Sequence, residues 1–185
     1  MTRIVVDQRD RGEGLAAVQS VFKSIHALRP EIAARIEAAQ RSLYVDGTLS
    51  ERLREVVRLR IGFHNQCRTC MAVRYAPDAV PEDLVCSLEH PEESEDLSDG
   101  ERVAIRFADL FATNHLAIGD EIYAQLRSHF DEGEIVELGF LCALFVGMGR
   151  LAATWNVTDS LPGSFRDSPG TVTPWGHHAT LEFRR

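Results

Sequence analysis

The sequence predicts an all-α protein, and three observations carry that prediction. Apolar residues recur at spacings of three and four over most of the chain, the period of helices with one buried face. Two capping boxes, Thr48-x-x-Glu51 and Ser98-x-x-Glu101, mark helix starts, and Asp131 with Glu134 opens another. No pair of alternating segments reads as a β-hairpin.

The elements follow in order. Leu15, Val18, Phe22 and Ile25 predict a first helix that ends near Arg29-Pro30. Pro30 suits the first position of a second helix, which carries Ile32, Ile36, Ala39 and Leu43 and stops at Asp46-Gly47. The Thr48/Glu51 box opens a third, whose inner face is Leu53, Val56, Val57 and Ile61. Arg52, Arg54, Arg58 and Arg60 alternate with that face and read as its wet side. Gly62 weakens this helix, and Asn65 caps a fourth that opens near Cys67 and runs towards Tyr75. Pro77, Pro81 and Pro91 then punctuate an acidic surface connection over 77–97, with a short helix at 81–88. Ser98 and Glu101 start a helix through Val103, Phe107, Leu110 and Phe111, and a shorter one carries Ile122, Leu126 and Phe130. The last long helix begins at Asp131 and carries Ile135, Leu138, Leu141, Phe145, Met148 and Leu151. From Asp159 the chain turns rich in Gly, Pro and Ser and loses its period. The expected organisation is a helical domain over 1–158 and, over 159–185, a flexible tail or an arm laid on a neighbouring subunit. Phe165 and Trp175 favour the arm.

A chain of 185 residues can bury a core without staples. Its net charge of −8 argues against nucleic acid or an anionic membrane as the main partner. The N-terminal Ile4-Val5-Val6 is too short for a signal peptide, and the longest apolar run, 138–146, falls short of a membrane span. The expected location is the cytoplasm, where four cysteines do not form a structural framework and a close pair points to redox or metal chemistry.

That pair is Cys67-x-x-Cys70. On a helix the two sulfurs lie on adjacent turns, within reach of a disulfide. With Asn65 as cap, Cys67 lies in the first turn, where free N–H groups and the helix dipole favour a thiolate. Arg74, four residues after Cys70, shares its face, and a guanidinium there stabilises the anion. One cysteine becomes a nucleophile towards peroxides or disulfides, and the other resolves the product. The spacing also fits half of a zinc site with His64 as a third ligand, or two inert thiols, although no second pair follows at zinc-site spacing. Glu55 reads as a surface carboxylate pairing with Arg52, Arg58 or Arg60, or as a buried proton acceptor for a thiol. His64 can shuttle protons near neutrality or cap a carbonyl. Cys86 and Cys142 stand alone, and His115, His129, His177 and His178 show no pairing.

The string Glu55-x11-Cys67-x-x-Cys70 in a helical background resembles the alkylhydroperoxidase AhpD-like and carboxymuconolactone decarboxylase superfamily. The resemblance continues through residues 97–109, through Glu134-Ile-Val-Glu-Leu-Gly and through Gly147-Met-Gly-Arg150, and it covers roughly 28–158. It implies an AhpD-like helical bundle with a CxxC at the start of a core helix, assembled as a homo-oligomer (dimer, trimer or hexamer). It further implies that Cys70 attacks a hydroperoxide, that Cys67 closes the disulfide, and that Glu55 belongs to a proton relay. An external dithiol or thiol would restore the pair, with no metal or organic cofactor. The family commonly reads C-x-x-C-x-x-x-H, and the peroxidase has a histidine between the cysteines; here Arg74 and Thr69 occupy those places. Arginine cannot exchange a proton near neutral pH, so Glu55, His64 or water must do so. Arg74 suits a carboxylate, which implies a rival reading: a decarboxylase-like lyase or small-molecule-binding member using Arg74 with Glu55 or His64. The decarboxylase branch, however, lacks the cysteine pair.

Overall fold

A computed structural model describes residues 2–6, 13–176 and 179–183. The helices are α1 (Leu15–His26), α2 (Pro30–Val45), α3 (Glu51–His64), α4 (Arg68–Ala72), α5 (Glu82–Ser87), α6 (Asp99–Thr113), α7 (Asp120–Arg127), α8 (Glu132–Trp155) and α9 (Gly163–Arg166). Two short strands, β1 (Val73–Arg74) and β2 (Leu181–Glu182), pair in parallel with Val73 opposite Leu181. The all-α prediction holds, with the CxxC at the start of a buried helix.

The centre of the bundle is α3, packed against α6, α8 and α4. Leu53, Val56, Val57, Leu59 and Ile61 are all buried, so almost no side of this helix meets water. The wet arginine face expected from the sequence is therefore not there: Arg54 and Arg58 are only 7% and 2% exposed. Buried guanidinium groups persist where donors find acceptors. Arg54 donates to Leu49 O (2.7 Å) and lies 5.3 Å from the Tyr44 ring centroid. Arg60 holds Asp109 (2.8 Å), and Arg52 holds Glu101 (2.6 Å).

Two helix-start expectations hold and two are corrected. Ser98 with Glu101, and Asp131 with Glu134, form reciprocal capping boxes on α6 and α8. At α3 the cap is Ser50, whose hydroxyl accepts the Leu53 N–H. Thr48 instead gives its N–H and hydroxyl to Glu137 of α8, at 2.7 and 3.0 Å, because the chain at Gly47 passes directly beneath that carboxylate. Asn65 ends α3, and Cys67 itself caps α4. The fourth helix is also short, giving way to extended backbone at Val73 rather than running to Tyr75.

Two glycines permit the close packing around α4. A Cβ on Gly62 would stand 3.3 Å from Cys70 Cβ, so its absence lets the CxxC turn lie directly on α3. A Cβ on Gly149 would strike the Asn65 amide, which donates to Phe145 O (3.0 Å) and pins α8 to the end of α3. Gln66 adopts left-handed backbone (φ 48°), and this turns the chain from α3 into α4.

Beyond Asp159 the described residues pack on the chain's own helices. Phe165, Leu161 and Val172 bury against Met71 and Ala72 of α4 and Val18 of α1. Arg68 reaches across to donate to Phe165 O, Arg166 O and Ser168 O at 2.8, 2.9 and 2.7 Å. The Gln66 amide exchanges two hydrogen bonds with the Val172 backbone.

Two helices leave apolar surface open. None of the residues of α2 is buried, and Ile32 is exposed. On α8, Val136, Phe140 and Leu151 face outward while Leu138, Leu141 and Cys142 fill the core. By length and composition α8 could cross a membrane, more than the sequence reading allowed, yet its inner face packs in the protein core.

Candidate active site

Cys67 and Cys70 are joined as a disulfide at the start of α4. The two sulfurs are placed differently. Cys67 is buried, and its Sγ accepts the Cys70 N–H at 3.2 Å. Cys70 is half-buried and lines a cleft of about 880 Å³. Arg58, Thr69 and Tyr75 line the cleft beside it, α1 and α2 form one wall, and Phe145, Met148 and Ala152 of α8 form the other.

Behind α4 lies a buried ion pair. Arg58 meets Glu55 through two 2.7 Å bonds, and both side chains are 2% exposed. The same guanidinium donates to Cys70 O and Val73 O, each at 2.7 Å. Glu55 also accepts the Tyr75 N–H at 2.9 Å, and the Tyr75 ring sits 4.4 Å from the Arg58 carbon. Carbonyls at the end of a helix lack partners within it. Arg58 supplies them at Cys70 and Val73, and Arg74 does so at Met71. Burial pushes the Tyr75 phenol upward, opposed by Arg58, so it keeps its proton at neutral pH.

Of the residues the sequence singled out, Cys67 and Cys70 are joined, and Glu55 reaches Cys70 only through Arg58, which holds the Cys70 carbonyl. Arg74 does not join the cleft. Because the helix stops at Ala72, the four-residue spacing no longer puts Arg74 on the Cys70 face. Its guanidinium is 1% exposed and bound to Glu82 (2.7 Å), Met71 O and Pro174 O. His64 also points elsewhere, with Nε2 2.6 Å from Asp109. Burial alone would raise the Asp109 carboxyl, but hydrogen bonds from His64 and Arg60 outweigh it and hold the group below the usual range. Among the described residues no three of His, Cys, Asp and Glu cluster to hold a metal. Cys142 is buried and its thiol is raised by burial, whereas Cys86 is exposed. His177 and His178 lie outside the described residues.

Sequence reasoning gave Arg58 only as one of three surface partners for Glu55, whereas the pair, three apart on one helix face, is buried. Tyr75 and His26 were passed over as site residues. His26 of α1 lines the cleft and meets Glu37 of α2 at 2.7 Å.

Fold and site together define a helical protein with a CxxC disulfide at the floor of an apolar cleft. Solved structures give this arrangement a fold name: the chain has the AhpD-like fold. A protein of unknown function from Agrobacterium tumefaciens, proposed to be the antioxidant defence protein AhpD, superposes with TM-score 0.63 at 20% identity. The match covers 75% of this chain and 95% of that one. An alkylhydroperoxidase AhpD core, an uncharacterized peroxidase-related protein from Ralstonia eutropha JMP134, gives 0.61 at 18%, covering 77% of each chain. An uncharacterized peroxidase-related protein from Silicibacter sp. TM1040 gives 0.62 at 19%, covering 83% of this chain and 89% of that one. No family model and no curated protein matches the sequence.

Proposed function

We propose that the protein belongs to the AhpD-like superfamily and reduces hydroperoxides through a Cys67/Cys70 thiol–disulfide cycle. The observation that carries this reading is the unequal placement of the two sulfurs: Cys70 on the cleft, and Cys67 buried under a backbone N–H. The Cys70 thiolate attacks the terminal hydroperoxide oxygen. The O–O bond breaks, Cys70 becomes a sulfenic acid, and the alkoxide takes a proton to leave as the alcohol. Neither Glu55 nor His64 lines the cleft, so water supplies that proton. The Cys67 thiolate then attacks the Cys70 sulfur, forming the disulfide and expelling hydroxide, which a solvent proton converts to water. An external dithiol attacks Cys70, the accessible sulfur, and expels Cys67 as thiolate; its second thiol then displaces Cys70 from the mixed disulfide, and the reductant leaves as a disulfide. The amide that caps α4 stabilises that thiolate as nucleophile in one half-cycle and as leaving group in the other. Two electrons pass from dithiol to hydroperoxide in each turn.

Steady-state consumption of an organic hydroperoxide with a dithiol reductant tests the proposal. Turnover is expected, but slower by about 10²–10⁴-fold than in a site with a poised general acid. Absence of turnover under any dithiol, with both cysteines reduced, would overturn it.

The cytoplasmic, self-associating state belongs to the same reading. The unburied α2 and the outward row Val136, Phe140 and Leu151 of α8 support self-association. Size-exclusion chromatography with light scattering is expected to give a multiple of 20.7 kDa, and a monomer at micromolar concentration contradicts it.

A further inference from the structure

The C-terminal segment does more than cover the core: its last described residue, Phe183, enters the Cys70 cleft. The ring stands edge-on to Tyr75, with centroids 5.8 Å apart and planes at 86°. It remains 39% exposed, so ring surface is left facing open space. Tyr75 is in turn backed by Arg58, which holds the carbonyl of Cys70 itself. A continuous stack therefore runs from the reactive helix to the arm.

The anchoring of the arm is concentrated at the same place. Gln66, Arg68 and Arg74, which bracket the cysteine pair in sequence, tie down Val172, residues 165–168 and Pro174 respectively. The strand pair β1–β2 and the Phe183 N–H to Arg74 O bond (2.7 Å) then set the position of the ring. Near Cys70, beside Arg58 and Thr69, the cleft also presents the apolar side chains of Val73, Phe145 and Met148. An exposed aromatic ring in an apolar cleft is a surface for another apolar or aromatic group, favoured by area burial and by ring–ring geometry.

We propose that Phe183 is a substrate-binding residue delivered by the C-terminal arm, which with Tyr75 seats the flat apolar body of an aromatic hydroperoxide beside Cys70. This rests on the reading of Cys70 as the attacking thiol. The ring makes no contact that hydrogen peroxide would use, so its contribution shows only with a substrate that carries a body.

The test compares oxidation of the fully reduced, full-length protein by cumene hydroperoxide and by hydrogen peroxide. Phe183→Ala is expected to lower the cumene-to-hydrogen-peroxide rate ratio by about three- to ten-fold and Phe183→Trp to preserve or raise it. A ratio that moves less than about two-fold in Phe183→Ala, or that rises because the ring was an obstruction, overturns the proposal. A second readout does not depend on peroxidase activity: alkylation of Cys70 by N-phenyl iodoacetamide against iodoacetamide, followed by mass mapping so that exposed Cys86 does not contribute. The same drop in ratio is expected in Phe183→Ala. If wild-type thiols resist every hydroperoxide while the alkylation ratio still falls, the catalytic reading fails and the aromatic seat stands. If hydroperoxides react and neither ratio moves, the seat fails alone.

Discussion

Replacing Arg58 with alanine is expected to cost about 3–5 kcal/mol of stability, the cost of leaving a buried carboxylate without its partner. The substitution strips Glu55 of two hydrogen bonds in a site where both side chains are 2% exposed. It also frees the Cys70 and Val73 carbonyls at the end of α4. Arg58→Lys should recover little, because an ammonium cannot fork to both carboxylate oxygens and two carbonyls at once. Glu55→Gln is expected to be comparably costly, since it leaves the guanidinium buried without its counter-charge. A Glu55→Leu/Arg58→Met pair should regain part of the loss, because paired apolar replacement removes both buried charges. Denaturant midpoints at constant slope measure all four. A loss below about 1 kcal/mol in Arg58→Ala would mean that the pair is not the support for α4 described above.

The second large effect concerns the cysteines, and the two should not behave alike. Cys70→Ser is expected to abolish reaction with hydroperoxide and to leave Cys67, Cys86 and Cys142 reduced. Cys67→Ser should still react once, trapping a sulfenic acid at Cys70 that a dimedone probe labels, and then stop turning over. The asymmetry follows from access: Cys70 lines the cleft and Cys67 is buried beneath it. The reverse pattern, with a labelled Cys67 in Cys70→Ser, would exchange the assigned roles. Neither substitution should unfold the protein, because α4 is held from outside by Arg58, Arg74 and the Thr69 hydroxyl, which donates to Val157 O at 2.7 Å.

Much of this architecture was legible in the sequence, for a physical reason. Apolar period and helix caps are local, and they located α1, α2, α6, α7 and α8 to within a few residues. The CxxC and the glutamate before it were equally plain. Arg54 and Arg58 misled because a charged residue on a helix is ordinarily wet, and only the packing of α6, α8 and α4 around α3 reveals that this helix has no outer side. Arg74 misled because nothing in Met71-Ala72-Val73 announces that α4 stops after five residues; the stop comes from carbonyl partners brought by distant side chains. The arm had no period to read. Its position depends on side-chain-to-backbone bonds from Gln66, Arg68 and Arg74, which span about a hundred residues.

The central claim is that Cys70 and Cys67 form one redox unit with the cleft as its entrance. The most direct measurement starts from fully reduced protein and adds one equivalent of organic hydroperoxide, followed by thiol counting and mass mapping under acid quench. The expected result is loss of two thiols, a single Cys67–Cys70 disulfide, free Cys86 and Cys142, and full recovery on adding a dithiol. Persistence of both active-site thiols under excess hydroperoxide, or oxidation confined to Cys86, would contradict the account.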